Sequence, residues 1–338
     1  MKIIHALCRV FAPLLFLPLS AADAAENMVR DYPADKIAAH TYVIHGPLGE
    51  PSVANQGFMN NPGFVITDNG VVIIDPGSSL EAGRMVLRQV RKLTSKPITH
   101  VLDTHIHGDH WLGNQAILEA YPKAQLMAHP EMIRKAQTGE AEVWTGLMER
   151  LTQGYTKGTR AVIPTVAVTE NQRFTTGGIT FHILAPENAH SKTDIMIEVV
   201  QDGVVFTGDN VLNGRIARLD DGTFKGSIAA CDRAIATKAK HYVPGHGKSA
   251  DAKMVKNYRD YMVALMSEVR HQYDAGKSDY EMKDAVATKL GAYKNWSGFN
   301  DQLGKHISLA VISAVIHKPL NQKTWRQSKL VAQFRRSH

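Results

Sequence analysis

Thr104-His105-Ile106-His107-Gly108-Asp109-His110 packs three imidazoles and a carboxylate into six residues. The run directly follows an apolar, strand-type stretch at 99–103 and precedes a helical start. It therefore lies on a tight loop at a strand end, where a rigid scaffold can hold several side chains towards one point. His105 and His107 alternate as strand neighbours do and are expected to point the same way. Asp109 and His110 lie past the turn and can face a second point nearby. Imidazole nitrogen and carboxylate oxygen are zinc donors. Without a cation, such crowding costs desolvation and, on protonation, mutual repulsion, so a histidine-rich surface turn is the weaker reading.

Outward from this loop, short β-type runs alternate with helical patterns from about 38 to 247. Residues 42–45, 64–67, 71–74, 99–103 and 125–128 read as strands, with Asp68-Asn69-Gly70 a hairpin turn. Residues 81–93 have helical spacing, 116–121 continue a short helix, and 130–158 are mostly helical. A second set of strands is expected at 166–168, 179–184, 195–200 and 204–208, with Gln201-Asp202-Gly203 turning between the last two. A helix at 227–238 then leads into a strand at 241–243. Two such strand-rich halves imply two βα lobes with helices outside a pair of sheets. Helices are expected at 252–275, 279–290 and 299–316. Ser278 and Glu281 form a capping-box pattern for the second of these.

The 338 residues are 44% apolar and 21% charged, enough for a substantial core and too ordinary for wholesale disorder. Lys2 and Arg9, an apolar run at 10–19 and Ala22-Asp23-Ala24 match a secretory signal cut after Ala24. The run is too short to be a membrane span and is broken by Pro13 and Pro18. Cys8 precedes that run, against a lipoprotein, and leaves with the signal. Cys231 then has no intrachain disulfide partner, and its Ala-rich setting suggests a buried small residue. Lys and Arg are scattered despite a formal charge of +7, with one dense run at Arg335-Arg336, so nucleic-acid binding is not indicated. The expected product is periplasmic or secreted, without a stable membrane anchor, and acts on a small molecule.

The 105–110 run resembles the H-x-H-x-D-H signature of the metallo-β-lactamase superfamily, and the family's other landmarks follow in order. Residues 71–77 (VVIIDPG) resemble its strand ending in aspartate, and 189–194 (AHSKTD) its third metal segment. Phe206-Thr207-Gly208-Asp209 resembles the strand delivering a bridging aspartate, and Pro244-Gly245-His246-Gly247 its last ligand loop. The resemblance spans about 40–247. It implies an α/β fold, an αββα sandwich with a C-terminal helical extension. The segments would be a signal peptide at 1–24, the metallo-β-lactamase domain at 25–250, the helical extension at 251–320 and a basic flexible tail at 321–338.

The resemblance also implies two Zn2+ per chain. His105, His107 and His190 would hold the first, Asp109, His110 and His246 the second, and Asp209 would bridge them, leaving a shared water to be activated for hydrolysis. Asp109 would orient that water. Aspartate at 209 is where true β-lactamases of two large groups have cysteine or serine, which turns the expectation towards an ester, thioester, lactone or amide-type bond of another small molecule. Lactam hydrolysis and a non-hydrolytic metal or redox module on the same fold are the alternatives. His107 stands where flavin-linked di-iron relatives have glutamate, which disfavours the redox module. A nuclease is disfavoured by export. The whole-chain layout is similar to periplasmic zinc metallohydrolases found with quinoprotein dehydrogenase and sulfur-oxidation systems.

Asp75 resembles a family aspartate that orients a metal-binding histidine, with direct ligation the alternative. Asn210 could donate to a substrate oxyanion or equally fix its loop. His129, His182 and His241 are read as structural. Asp194 is expected to cap a helix or bond the loop. Phe58, Met59 and Trp144 could line an apolar wall. Arg215, Arg218 and Lys225 follow on a long loop that could face the cleft, with a solvated surface the favoured reading.

Overall fold

Strand β4 (Gly70–Ile74) is buried along its whole length, and its alternate residues serve two different cores. Val72 and Ile74 face the core between two sheets, while Val71 and Ile73 face the layer beneath the outer helices. In this computed structural model, which describes residues 28–316 and side chains to 313, β4 is the centre of a seven-stranded sheet. The expected signal segment at 1–24 and the tail at 321–338 lie outside the described residues.

The first sheet runs β1 (Ala34–Lys36), β2 (Thr41–Ile44), β3 (Gly63–Thr67), β4, β5 (Ile98–Asp103), β6 (Gln125–Ala128), β7 (Val166–Ala167). Pairing is antiparallel up to β4 and parallel from β4 onwards. The β3–β4 hairpin pairs Thr67 with Gly70 across Asp68-Asn69, where the turn residues placed it. The second sheet is ordered β12 (His241–Pro244), β11 (Val204–Gly208), β10 (Met196–Val199), β9 (Ile179–Leu184), β8 (Arg173–Thr176). Its β11–β12 pair is parallel and the rest antiparallel. Between the sheets, Val43, Val72 and Leu102 meet Phe181, Ile197 and Phe206.

Helices close both outer faces. On the first sheet lie α1 (Leu80–Leu93) and, beyond the short α2 (Gly108–Trp111), α3 (Asn114–Ala120). Ser79 caps α1 by accepting from the Ala82 N–H. Next in the chain, α4 (Pro130–Lys135) passes through a π-turn (Ala136–Glu140) into α5 (Ala141–Leu151). On the second sheet lie α6 (Phe224–Ala236) and α7 (Ala252–Asp274), followed by α8 (Lys283–Lys289) and α9 (Phe299–Ile316). The layers are helix, sheet, sheet, helix, as expected. The C-terminal helices share one core with the second sheet rather than forming a separate body: Leu265, Val286 and Leu303 pack with Val205 and Tyr242.

Several local expectations are corrected. The strand at 166–167 joins β6 of the first sheet, not the second set. Strands β1 and β8 were not anticipated; both have mostly exposed or half-buried residues and little apolar signal. His105 and His107 lie beyond the end of β5, so bends after the strand, not strand alternation, aim their rings. Helix α6 starts at Phe224, capped by Thr223, three residues before the expected 227. Helix α8 starts at Lys283, not 279. Ser278 does engage Glu281, but its N–H and hydroxyl both donate to that carboxylate (2.9 and 2.7 Å), closing a turn instead of capping a helix.

Candidate metal centre

The seven expected donors converge at the end of the sandwich where β4, β5, β11 and β12 run out. The loop after β5 supplies His105 and His107, and the short α2 that follows supplies Asp109 and His110. The second sheet's loops supply His190 before β10, Asp209 after β11 and His246 after β12. Three groups of donor atoms lie within 4.8 Å of one another: His105, His107, His190; His105, His110, Asp209; and Asp109, His110, His246. Asp209 stands between the others. Its Oδ1 is 3.3 Å from His110 Nε2, and its Oδ2 is 3.4 Å from His246 Nε2 and 3.7 Å from His190 Nε2.

The outward nitrogens fix which lone pairs point inwards. His110 Nδ1–H donates to Asp75 Oδ2 (2.8 Å), and His246 Nδ1–H donates to the Met59 carbonyl (2.9 Å). His107 Nε2–H donates to Asp221 Oδ2 (3.1 Å). His105 Nδ1 meets Thr104 Oγ1 at 2.9 Å, and that hydroxyl in turn donates to Asp75 Oδ2 at 2.7 Å. Each bond selects the tautomer that leaves the inner nitrogen as an acceptor. Asp75 also accepts from the Thr104 N–H (2.8 Å). It thus orients His110 directly and His105 through Thr104, and it belongs to none of the donor groups.

Three of these inner atoms lack a hydrogen-bond partner within the protein. His105 Nε2, His110 Nε2 and Asp209 Oδ1 are buried without a hydrogen bond, an arrangement that proteins rarely tolerate. His190 Nε2 and His107 Nδ1 face each other at 2.9 Å. Burial, then the neighbouring imidazoles, push the pKa of His105 well below the ordinary histidine value and that of His190 down to about 3. Burial opposes ionisation of Asp109 and Asp209, but His110 and His246 outweigh it and hold both carboxyls below the usual range. The same two carboxylates raise the pKa of His110 and His246 against burial; a cation would take the place of those protons among imidazole and carboxylate donors of this kind.

The backbone is shaped around this cluster. Gly245 approaches so closely that a Cβ there would overlap Asp209 Oδ1. Asp75 adopts a left-handed φ of 52°, which places its carboxylate across the ends of β4 and β5.

A cleft of about 290 Å3 opens above the donors. Met59 and Trp144 border it, whereas Phe58 is buried under the first sheet beside Tyr32. Asn210 is not a cleft residue: its Nδ2 donates to the Thr207 carbonyl (3.1 Å) and its Oδ1 accepts from the His190 N–H (3.3 Å), so of the two roles offered it takes that of fixing the loop. Asp194 likewise bonds the loop, through Ser191. His129 caps α4 and His182 pairs with Glu198. Arg215 corrects its expectation. It is buried at the cleft edge, donating to the Gly49 carbonyl (2.8 Å) and Glu50 (2.9 Å). Arg218 also borders the cleft. Asp221 and Thr104 were missed as partners of the ligand histidines. Thr104 was detectable from its place immediately before His105, whereas Asp221 carries no local signal.

The described residues contain no helix long and apolar enough to cross a membrane. Residues 56–246 match the profile of the Metallo-beta-lactamase superfamily. The "Probable metallo-hydrolase" of Streptococcus pyogenes serotype M6 is 26% identical over 207 residues, 58% of this chain and 83% of that protein. A metallo-beta-lactamase from Pontibacter korlensis superposes with a TM-score of 0.55 at 18% identity, over 69% of this chain and 99% of the other. The stereoselective inverting sec-alkylsulfatase Pisa1 from Pseudomonas sp. gives a TM-score of 0.62 at 17% identity, over 82% of this chain and 49% of the other. With the profile spanning more than half of its length and the donors gathered at one cleft, the chain belongs to the metallo-beta-lactamase superfamily.

Proposed function

We propose that this protein is an exported, dinuclear zinc hydrolase that cleaves an ester, thioester, lactone or amide-type bond of a small molecule. The observation that carries the reading is a chain of three donor groups at one cleft, linked through His105 and His110, with Asp209 3.3–3.7 Å from His110, His246 and His190. His105, His107 and His190 would hold one ion, and Asp109, His110 and His246 the other, with Asp209 common to both. Two such cations supply Lewis acidity for a carbonyl oxygen and lower the pKa of water between them.

The chain's own residues do the rest. Asp109 borders the cleft and stays ionised across the neutral range, so it accepts a hydrogen bond from the attacking water and aims it at the substrate. Asp75, Thr104 and Asp221 hold the histidine rings so that no reorientation is needed during reaction. Arg215 fastens the loop around Glu50 to the cleft edge and keeps the substrate passage in shape. Aspartate at 209 favours this reading over lactam hydrolysis. Export rests on the pattern of residues 1–24.

The test is metal analysis followed by a substrate panel. Mature protein purified without chelator is expected to carry about two zinc ions per chain. Below half an ion per chain, the assignment is wrong. The zinc-loaded protein then meets lactones, thioesters, activated esters, a chromogenic cephalosporin and an alkyl sulfate. The last is the substrate type named for the Pseudomonas enzyme whose fold it shares. His107→Ala and Asp109→Ala should each abolish turnover while leaving circular dichroism native, and full activity in either variant contradicts the role of the residue replaced.

A further inference from the structure

Helix α5 carries an apolar edge that the described residues leave open. Val143, Leu147 and Leu151 recur every fourth residue and so form one row along the helix. All three border the cleft, and Val143 is 64% and Leu151 38% exposed. The helix is anchored by its other apolar residues: Ala141 and Met148 are buried against Ile106 and Trp111. Its solvent side is occupied by Glu142, Glu149 and Arg150. Folding alone does not call for leucine and valine in the remaining row, where polar residues would serve as well.

The row is continuous with the reacting end of the cleft. Trp144, beside Val143, packs on His107 with ring centroids 4.8 Å apart. At the helix's far end, Thr152 lies against Gly57, on the loop that also brings Glu50 and Pro51 to the cleft. Elsewhere the lining is charged, with Arg215 paired to Glu50 and Arg218 to Asp220. The cleft therefore has an apolar stretch along α5, ion-paired residues elsewhere in its lining, and the donor cluster.

We propose that the substrate is amphiphilic, with its scissile bond over the donor cluster and an unbranched apolar arm laid along Val143, Leu147 and Leu151. This rests on the hydrolase reading above and specifies its substrate class. The eight helical rises from Val143 to Leu151 make a wall of ~12 Å, long enough for a medium-chain acyl or alkyl group. A fully buried methylene improves binding about fourfold, and an arm covered on one side gains about half of that free energy, so kcat/KM should rise about twofold per methylene.

The test uses zinc-loaded protein and 4-nitrophenyl esters from acetate to decanoate, kept below their micelle concentrations. The wild type is expected to show the twofold increment up to about the length of the wall. Replacing both Leu147→Gln and Leu151→Gln, exposed or half-buried positions where glutamine suits a helix, should flatten it. Glu149→Gln, on the outer side of α5, should leave the increment in place. Titration calorimetry with propylphosphonate and decylphosphonate supplies a readout without turnover: the decyl compound should bind more tightly, and its advantage should shrink in the double variant. Turnover without chain-length dependence, with equal phosphonate affinities, overturns the proposal and leaves the hydrolase reading standing. Absence of turnover of these esters and of every member of the substrate panel, with the decyl preference intact, defeats the hydrolase reading instead and supports the apolar wall.

Discussion

At the scale of single residues, Asp75 determines how the centre is held. One carboxylate accepts from the Thr104 backbone, the Thr104 hydroxyl and the His110 ring. Asparagine keeps the size and tolerates the left-handed φ, but its amide nitrogen cannot accept from a ring N–H or hydroxyl. Asp75→Asn is therefore expected to weaken zinc binding about 10–100-fold, measured by competition with a chromophoric chelator. Wild-type affinity would remove the orienting role. The donors themselves were legible in the sequence because each sits in a short, chemically dense motif. Their supports were less so. Asp221 reaches His107 from more than a hundred residues away, and only folding brings it there. Arg215 looked like one more loop cation, and nothing local announces that its guanidinium is buried against Gly49 and Glu50.

At the scale of elements, the loop after β12 illustrates what a motif glycine is for. Gly245 leaves room for the Asp209 carboxylate, and a methyl group there would displace the donor that stands between His110, His190 and His246. Gly245→Ala should drop zinc content below one ion per chain by metal analysis while far-UV circular dichroism keeps its native shape; a full complement of metal would mean the loop can shift without cost. Long apolar strands and the Phe299–Ile316 helix were legible because their burial patterns are strong. The two-residue β7 was assigned to the wrong sheet, since its place depends on pairing with β6 rather than on its own residues. The boundary of α8 was missed because a Ser–Glu spacing can close a turn as readily as it can begin a helix.

At the scale of the whole molecule, the C-terminal helices brace the cleft. Segment 213–217 is tied to them by the Ser297 N–H to Gly214 and the Ile216 N–H to Ser297, and His306 Nε2 donates to the Ala217 carbonyl (2.9 Å). Burial, more than the Ala217 bond opposes, lowers the His306 pKa to about 4. The unfolded chain takes up a proton there below about 6.5, whereas the folded chain resists until about 4. Stability from this site is therefore full above pH 6.5 and is lost progressively as the pH falls towards 4, by an order of 3 kcal/mol. Thermal melts should show a decline across that window that is shallower in His306→Gln, and identical slopes in the two proteins would exclude the site as a contributor. No chemistry marked residues 251–316 in the sequence, because their work is mechanical support for a wall made elsewhere.

The division of donors between the sheets has a last consequence. Four come from the first half of the chain and three from the second, so neither half owns a complete centre. Ions held there as proposed would clasp the two halves together, and activity would then report on whether they are in register. On that reading a chain nicked, slipped or half-assembled would fall silent instead of working badly, a form of quality control built into the architecture.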